Sequence, residues 1–474
     1  MIKDFVLNKI LKIFPFSPTS EQVSALGILS EFITSGDKNG ILLFKGYAGT
    51  GKTTMLGAAV KMMDSLNQKA ILLAPTGRAA KVFSEYSGHS AFTIHKKIYR
   101  QRSFSDEFSG FSLDDNLYKD TLFIVDEASM ISNESVGVSI FGSGCLLDDL
   151  IQYVYSGDNC KLILMGDPAQ LPPVSLTESP ALSAEYIKGY NLSVTEIQLT
   201  KVVRQQEDSG ILFNATNIRN ALRSGEIDIY PEVTTENYGD IKEINGDELI
   251  EEISSAYGND GIDDTMIICR SNKNANIYNY GIRNRILFRE EEISSGDRLM
   301  VVRNNYFWGK AHKDIDFIAN GEIIQVVRVR HTEELFGFRF CNILARFIDY
   351  DTELEIKIIL DTLQSESPAL SKEQSDKLFT SIAENYADIR TKPERLKKIK
   401  EDPYFNAIQV KYAYAVTCHK AQGGQWSNIF LDTGYVTEEM MGEDFYRWLY
   451  TAFTRATKHL FLVNWRLNKL KIKN

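Results

Sequence analysis

This chain of 474 residues lacks the features that would mark a disulfide-framed or zinc-ribbon protein. Its five cysteines (Cys145, Cys160, Cys269, Cys341 and Cys418) are scattered, odd in number and without a CxxC pair, which suits a reducing cytosol. Long apolar runs are missing too, so no membrane contact is expected and a cytoplasmic location is. The opening stretch, MIKDFVLNKILKIFPF, interrupts its apolar residues with charge and has no h-region, so no signal peptide is expected. Val6, Ile10, Ile13 and Phe14 recur there at helical spacing, as in a short helix docked on the body. Positive charge is also scarce: 53 Lys and Arg against 63 Asp and Glu leave a net charge of −10. That excludes a globally cationic nucleic-acid coat but not a local basic groove. No short-period repeat or low-complexity tract occurs.

What is present is globular. Apolar content of 43% and charged content of 24% are average, and the length exceeds one ordinary core, so two to four domains are expected. Apolar runs end abruptly in glycine or polar residues at 41–46, 70–77, 121–127 and 161–167. Runs without alternation predict strands buried on both faces, and the helical stretches between them predict a doubly wound α/β core. The same grammar returns at 265–272, 413–424, 427–432 and 459–465, which predicts a second α/β core split by a long interruption. Within that interruption, 296–306, 320–331 and 336–350 are glycine-punctuated and β-branched, predicting a small β-barrel. The stretch 367–402 is polar, charged and helical.

One loop carries a specific chemical signal. GYAGTGKTT (46–54) fits GxxxxGK[ST] between an apolar strand and a helix, the context of a phosphate-binding loop. Gly46, Ala48, Gly49, Thr50, Gly51 and Thr54 line it, and its glycines let backbone N–H groups converge on phosphate oxygens. Lys52 is the candidate for the β- and γ-phosphates and Thr53 for Mg²⁺. FIVDEAS (123–129) supplies an acidic strand end, with Asp126 a second candidate Mg²⁺ ligand and Glu127 placed to take a proton from the attacking water. In LMGDPAQLPPV (164–174), Gln170 is the candidate facing the γ-phosphate.

Together these motifs carry a resemblance. The phosphate loop, VDEAS, GDPAQLPPV, VVRQ (202–205), TCHKAQGGQW (417–426) and YTAFTRAT (450–457) stand in the order found in superfamily 1 helicases. The form of GDPAQLPPV, together with TIH (93–95), resembles group B, the RecD-like and Dda-like branch. The motifs span 46–457, nearly the whole chain. The resemblance implies an α/β protein with two RecA-like cores in tandem, the first at 1–91 and 121–200, the second at 201–288 and 412–474. It implies a small pin-type insertion at 92–120 and an SH3-like barrel with a helical insertion at 289–411. The implied activity is ATP- and Mg²⁺-dependent 5′-to-3′ translocation on single-stranded DNA, with separation of forked or tailed duplex. A monomer is expected, with replication or repair proteins as further partners. An RNA helicase of the same superfamily, or a nucleic-acid-dependent ATPase that does not separate strands, remains an alternative.

Roles follow by position. Gln22 matches the glutamine that reads adenine, since an amide can pair with both edges of the base. Arg204 and Arg455 match arginines that reach the γ-phosphate from the second core, adding positive charge to the transition state. LAPTGRAAKVF (73–83) resembles the motif lying on the strand backbone, with Thr76 and Gly77 as phosphate contacts and Arg78 adding charge. SAFTIHKKIYR (90–100) resembles the next contact, with Phe92, His95 and Lys96 combining charge and stacking. Phe104, Phe108 and Phe111 are candidates for the pin tip. Arg303, Asn304, Tyr306, Trp308 and Lys310 are candidate strand contacts in the barrel, with a core position for Trp308 an equal reading.

TCHKAQGGQW invites a reading as a Cys–His dyad or half a metal site. Neighbours at a strand end point to opposite faces, and no other Cys/His cluster supplies ligands, so both readings fall. The resemblance makes Thr417, His419 and Lys420 strand contacts, with Thr417 and His419 sharing one side by alternation, and brings Gly424 and Gln425 to the nucleotide. Relatives often have glutamate where Gln425 stands.

Overall fold

The computed structural model describes residues 2–101, 111–134, 141–203, 209–227, 231–311, 317–348 and 352–465. Strands β1 (Gly40–Gly46), β2 (Lys69–Ala74) and β3 (Ala91–Thr93) lead into a short antiparallel pair, β4 (Tyr99–Gln101) and β5 (Phe111–Leu113). β6 (Thr121–Val125), β7 (Lys161–Gly166) and β8 (Ser193–Leu199) follow. Apart from the pair, these strands form one parallel sheet in the order β3-β2-β6-β7-β1-β8. Its strands lack alternation because both faces are covered. Along β1, Leu42 and Phe44 enter one core while Ile41 and Leu43 enter another. β3 and β8 fall outside the four expected runs. β8 is an edge strand with a broken burial pattern and so carries no continuous apolar signal.

Downstream come β9 (Ile241–Ile244), β10 (Thr265–Cys269), β11 (Arg298–Val301), β12 (Ile323–Leu335), β13 (Phe338–Phe347), β14 (Thr352–Ile359) and β15 (Ile408–Tyr412). β16 (Ala415–Thr417), β17 (Trp426–Asp432) and β18 (Ala456–Val463) complete the set among the described residues. A second parallel sheet runs β16-β10-β17-β18-β9, and β11 to β15 close into a barrel. The expected barrel is therefore present, and β12 bends through irregularities at Val326/Arg328 and Val329/His331, which lets so few strands close.

The two sheets and the barrel share cores. Along β10, Ile267 and Cys269 pack with barrel residues such as Leu299 and Ile324, while Met266 and Ile268 pack with Tyr47, Ala169 and Leu171 of the first sheet's loops. The barrel is further tied to the second sheet by Asp297, which is fully buried. Its carboxylate accepts hydrogen bonds from Arg283, Arg289 and the Tyr414 hydroxyl at 2.8–3.0 Å. Helices Lys372–Asn385 and Lys392–Lys400 lay Leu378, Ile382 and Ile399 on barrel residues Phe338, Phe340 and Ile359. The basic run RLKKIK (395–400) is thus a helix face with one buried isoleucine, Ile399.

Candidate active site and nucleic-acid interface

The phosphate loop sits between β1 and the helix Lys52–Ser65. Gly49 (φ 76°) and Gly51 (φ 85°) take left-handed conformations that a side chain would strain. The Lys52 ammonium donates to the carbonyls of Gly46 (2.6 Å) and Tyr47 (2.9 Å), and Thr50 Oγ1 donates to Tyr47 O. Thr53 and Thr54 open the helix, half-buried. Gln22 reaches this loop from the helix Ser20–Thr34. Its Oε1 accepts the Thr19 N–H in a reciprocal cap, and its Nε2 donates to Thr50 O (3.1 Å). Both polar ends of the amide expected to read adenine are therefore engaged with protein.

Asp126 and Glu127 stand at the end of β6. Asp126 Oδ1 accepts the Glu127 N–H (2.7 Å), and Glu127 is left-handed at φ 52°. Burial, and then the neighbouring Glu127 carboxylate, push the Asp126 carboxyl up to about 7. Lys52 opposes that shift, which places its charge within reach of the acid. A crowded carboxylate pair facing a lysine-bearing phosphate loop is a donor set suited to a hard divalent cation.

Arg455 arrives from the other sheet. It is buried, donates to Thr451 O (3.1 Å) and Gly424 O (3.2 Å), and its Nη1 lies 3.8 Å from Glu127 Oε1. Two residues about 330 positions apart thus meet. Arg204 lies outside the described residues. The segment before it crosses the phosphate loop, the Val203 N–H donating to Gly49 O (3.0 Å). Gln170 is buried, and its Oε1 has no hydrogen-bond partner among the described residues.

The loop bearing Gln170 is held by the helix Glu443–Phe453. Arg447 donates to Pro168 O (2.6 Å), Tyr450 to Asp167 Oδ2 (2.7 Å), and Thr451 Oγ1 accepts the Leu171 N–H (2.9 Å). Gln422 adds a fourth tie, to Leu171 O (2.7 Å). Sequence reasoning missed these residues. Tyr450 and Thr451 open a quoted motif, but nothing in its spacing says that they face a loop some 280 residues upstream.

The expected strand contacts divide. Thr76 caps the helix Gly77–Ser87, leaving Gly77 in its first turn, and Gly423 packs so closely that an added Cβ would lie 3.0 Å from Ala79 and 3.2 Å from Thr76 Oγ1. Arg78 does not add charge to an open track. Its guanidinium lies 4.1 Å over the Trp426 ring and donates to Gln425 O (3.0 Å). Gly424 and Gln425 accordingly spend their carbonyls on Arg455 and Arg78.

His95 departs from its expected charge. It is enclosed by the rings of Phe141 (4.9 Å) and Tyr99 (5.8 Å), and burial lowers its pKa to about 4, so it is neutral near pH 7. Phe92 is half-buried in β3, within the first sheet, with the Lys97 ammonium 5.4 Å over its ring. Lys96 is half-buried beside it. Phe111, a candidate pin tip, packs against Phe141 (4.9 Å) and Tyr306 (4.7 Å) of the barrel loop, while Phe104 and Phe108 lie outside the described residues. Tyr306 and Trp308 are not open stacking platforms. Trp308 packs on the barrel core and donates to Asn406 O (2.8 Å), whereas Arg303 is exposed.

At TCHKAQGGQW (417–426) the alternation stops. Thr417 ends β16 and the chain turns at once into the short helix Cys418–Ala421. Cys418 is fully buried, with its thiol pushed up to about 12 by burial, and His419 is exposed, so no dyad forms. Thr417 and Lys420 border a shallow cleft between the second sheet and the barrel, shared with Asn272, Asn279, Met300 and Lys411. Burial lowers Lys420 to about 8, and its ammonium donates to Asn320 Oδ1.

Residues 20–245 match the AAA domain family and residues 412–463 the UvrD-like helicase C-terminal domain family. The chain therefore joins an AAA domain to a UvrD-like helicase C-terminal domain, a combination consistent with group B of superfamily 1. It is 25% identical to an uncharacterized protein of Acanthamoeba polyphaga mimivirus, over 93% of this chain and 98% of that one. To the ATP-dependent DNA helicase dda of Enterobacteria phage T4 it is 23% identical, over 94% and 99% of the two chains. A shorter match, 31% identical, covers 36% of this chain and 21% of the ATP-dependent RecD2 DNA helicase of Deinococcus radiodurans. Among solved structures, a Bacteroides Pif1 helicase in complex with ADP-AlF3 and ssDNA is similar at a TM-score of 0.47 and 16% identity, covering 95% of this chain and 93% of that one. No helix among the described residues is long and apolar enough to cross a membrane.

Proposed function

We propose that this chain is an ATP-driven DNA helicase that moves 5′ to 3′ on single strands and opens forked or tailed duplex, with two RecA-like cores closing on ATP. The cores comprise 1–91 with 121–200 and 201–288 with 412–474; 92–120 is the strand-separating insertion and 289–411 the SH3-like barrel with its helices. The observation that carries this reading is the 3.8 Å approach of Arg455, from the second sheet, to Glu127 at the end of β6. A catalytic set divided between two bodies links hydrolysis to their relative motion. Lys52 and the loop amides hold the phosphates, Glu127 receives the proton of the attacking water, Gln170 faces the γ-phosphate, and Arg455 and Arg204 offset developing negative charge. Thr53 and Asp126 would hold Mg²⁺, which supplies charge neutralisation on the phosphate oxygens. Thr76, Gly77, Thr417, His419 and Lys420 form the strand track, and the cytoplasm is the expected compartment.

Unwinding of 5′-tailed against 3′-tailed duplex tests the reading, alongside ATPase measured with oligo-dT and with oligo-U. Stimulation by oligo-dT with unwinding of the 5′-tailed substrate is expected. Opening only the 3′-tailed substrate overturns the polarity, and preferential oligo-U stimulation overturns the choice of DNA. Lys52→Ala should abolish hydrolysis yet keep single-strand binding, because the strand track stands apart from the phosphate loop; normal turnover in this variant would remove the loop from the site.

A further inference from the structure

We propose that Tyr450 is the positioning residue through which the state of the phosphate loop reaches both the Gln170 loop and Arg455, an inference that rests on the function proposed above. The Tyr450 hydroxyl is buried between two partners on loops of the first sheet. It accepts the Ala48 N–H of the phosphate loop (2.9 Å) and donates to Asp167 Oδ2 (2.7 Å). Burial, and then the Asp167 carboxylate, raise the phenol far above its ordinary range, so it stays protonated and the two bonds keep those directions.

Three features make this more than packing. The hydroxyl takes up a backbone amide of the loop whose amides are the phosphate donors, so a nucleotide that reshapes the loop must alter this bond. The same helix, one residue on, holds Leu171 N–H through Thr451, beside Gln170. Its C-terminal end runs directly into Thr454 and Arg455, about one and a half turns from Tyr450. A displacement of Ala48 therefore moves one stiff element that carries the finger arginine at its end and the Gln170 loop on its flank.

Tyr450→Phe keeps the ring and removes the hydroxyl. With saturating oligo-dT, kcat should fall about tenfold or more, while affinity for a non-hydrolysable ATP analogue changes less than about threefold. Asp167→Asn should lower kcat in the same direction, and the double variant should fall no further than the worse single. A purely structural tyrosine would instead lower the melting temperature and weaken nucleotide binding together. Wild-type turnover in Tyr450→Phe, or losses that simply add in the double variant, overturn the proposal. Should Tyr450→Phe not fold, wild-type turnover in Asp167→Asn does so. Failure of the helicase reading looks different: the wild-type protein itself would then show no stimulation by oligo-dT.

Discussion

Asp126 shows how a single residue is set by its surroundings. Its carboxyl is raised from 3.8 to about 7 by burial and by Glu127, so the folded protein binds this proton more readily than the unfolded chain does. The ionised group then opposes folding, an effect absent below the unfolded value and growing as pH rises through that window. In the absence of nucleotide, Asp126→Asn should melt higher than wild type at about pH 8, with the difference closing by about pH 4. Paired melting curves across that range check it, and a difference independent of pH would remove the carboxyl as its source. At limiting Mg²⁺, acidification below about pH 7 should raise the Mg²⁺ concentration that hydrolysis needs, because a proton and a cation compete for the same carboxylate. The Asp-Glu pair was legible in the sequence. That burial would raise the aspartate was not, because the shift depends on what the fold packs around its carboxylate.

Elements determine which expected roles survive. The helix Ser20–Thr34 begins with a capping box, and Gln22 supplies half of it while also tethering Thr50. Gln22→Ala should therefore cost about 1 kcal/mol of stability through the cap. Chemical denaturation measures that cost, and a changed preference for ATP over GTP with unchanged stability would return the residue to the base. At TCHKAQGGQW strand alternation does not reach past Thr417, where β16 gives way to a helix. Period two holds only while the strand lasts. Arg78 stands in the sequence motif expected to follow the strand backbone, but the turn after β2 delivers it to Trp426 on the second sheet. Its charge was visible in the sequence; its partner came from another element.

At the scale of the whole molecule, the apolar joints between bodies are reinforced by buried polar contacts. Asp297 holds Arg283 and Arg289 where barrel and second sheet meet, with both Asp297 and Arg283 almost wholly out of solvent. Removing the acid leaves buried cations without a counter-charge, and Asp297→Ala should cost about 3–5 kcal/mol. Urea denaturation together with limited proteolysis should show the barrel loosening from the second sheet; a loss under about 1 kcal/mol would mean that the apolar core alone fixes it.

Two kinds of information separate here. The sequence by itself determined four strands of each sheet, the presence of a small barrel and the phosphate loop, because burial on two faces and the packing of amides round a phosphate demand particular residues at short, local spacings. Only the tertiary structure decided that Tyr450 meets Ala48 and Asp167, that Arg455 stands 3.8 Å from Glu127, and that His95 loses its charge within an aromatic cluster. Those outcomes depend on contacts between residues tens to hundreds of positions apart, and on the desolvation such contacts impose, which no local pattern encodes.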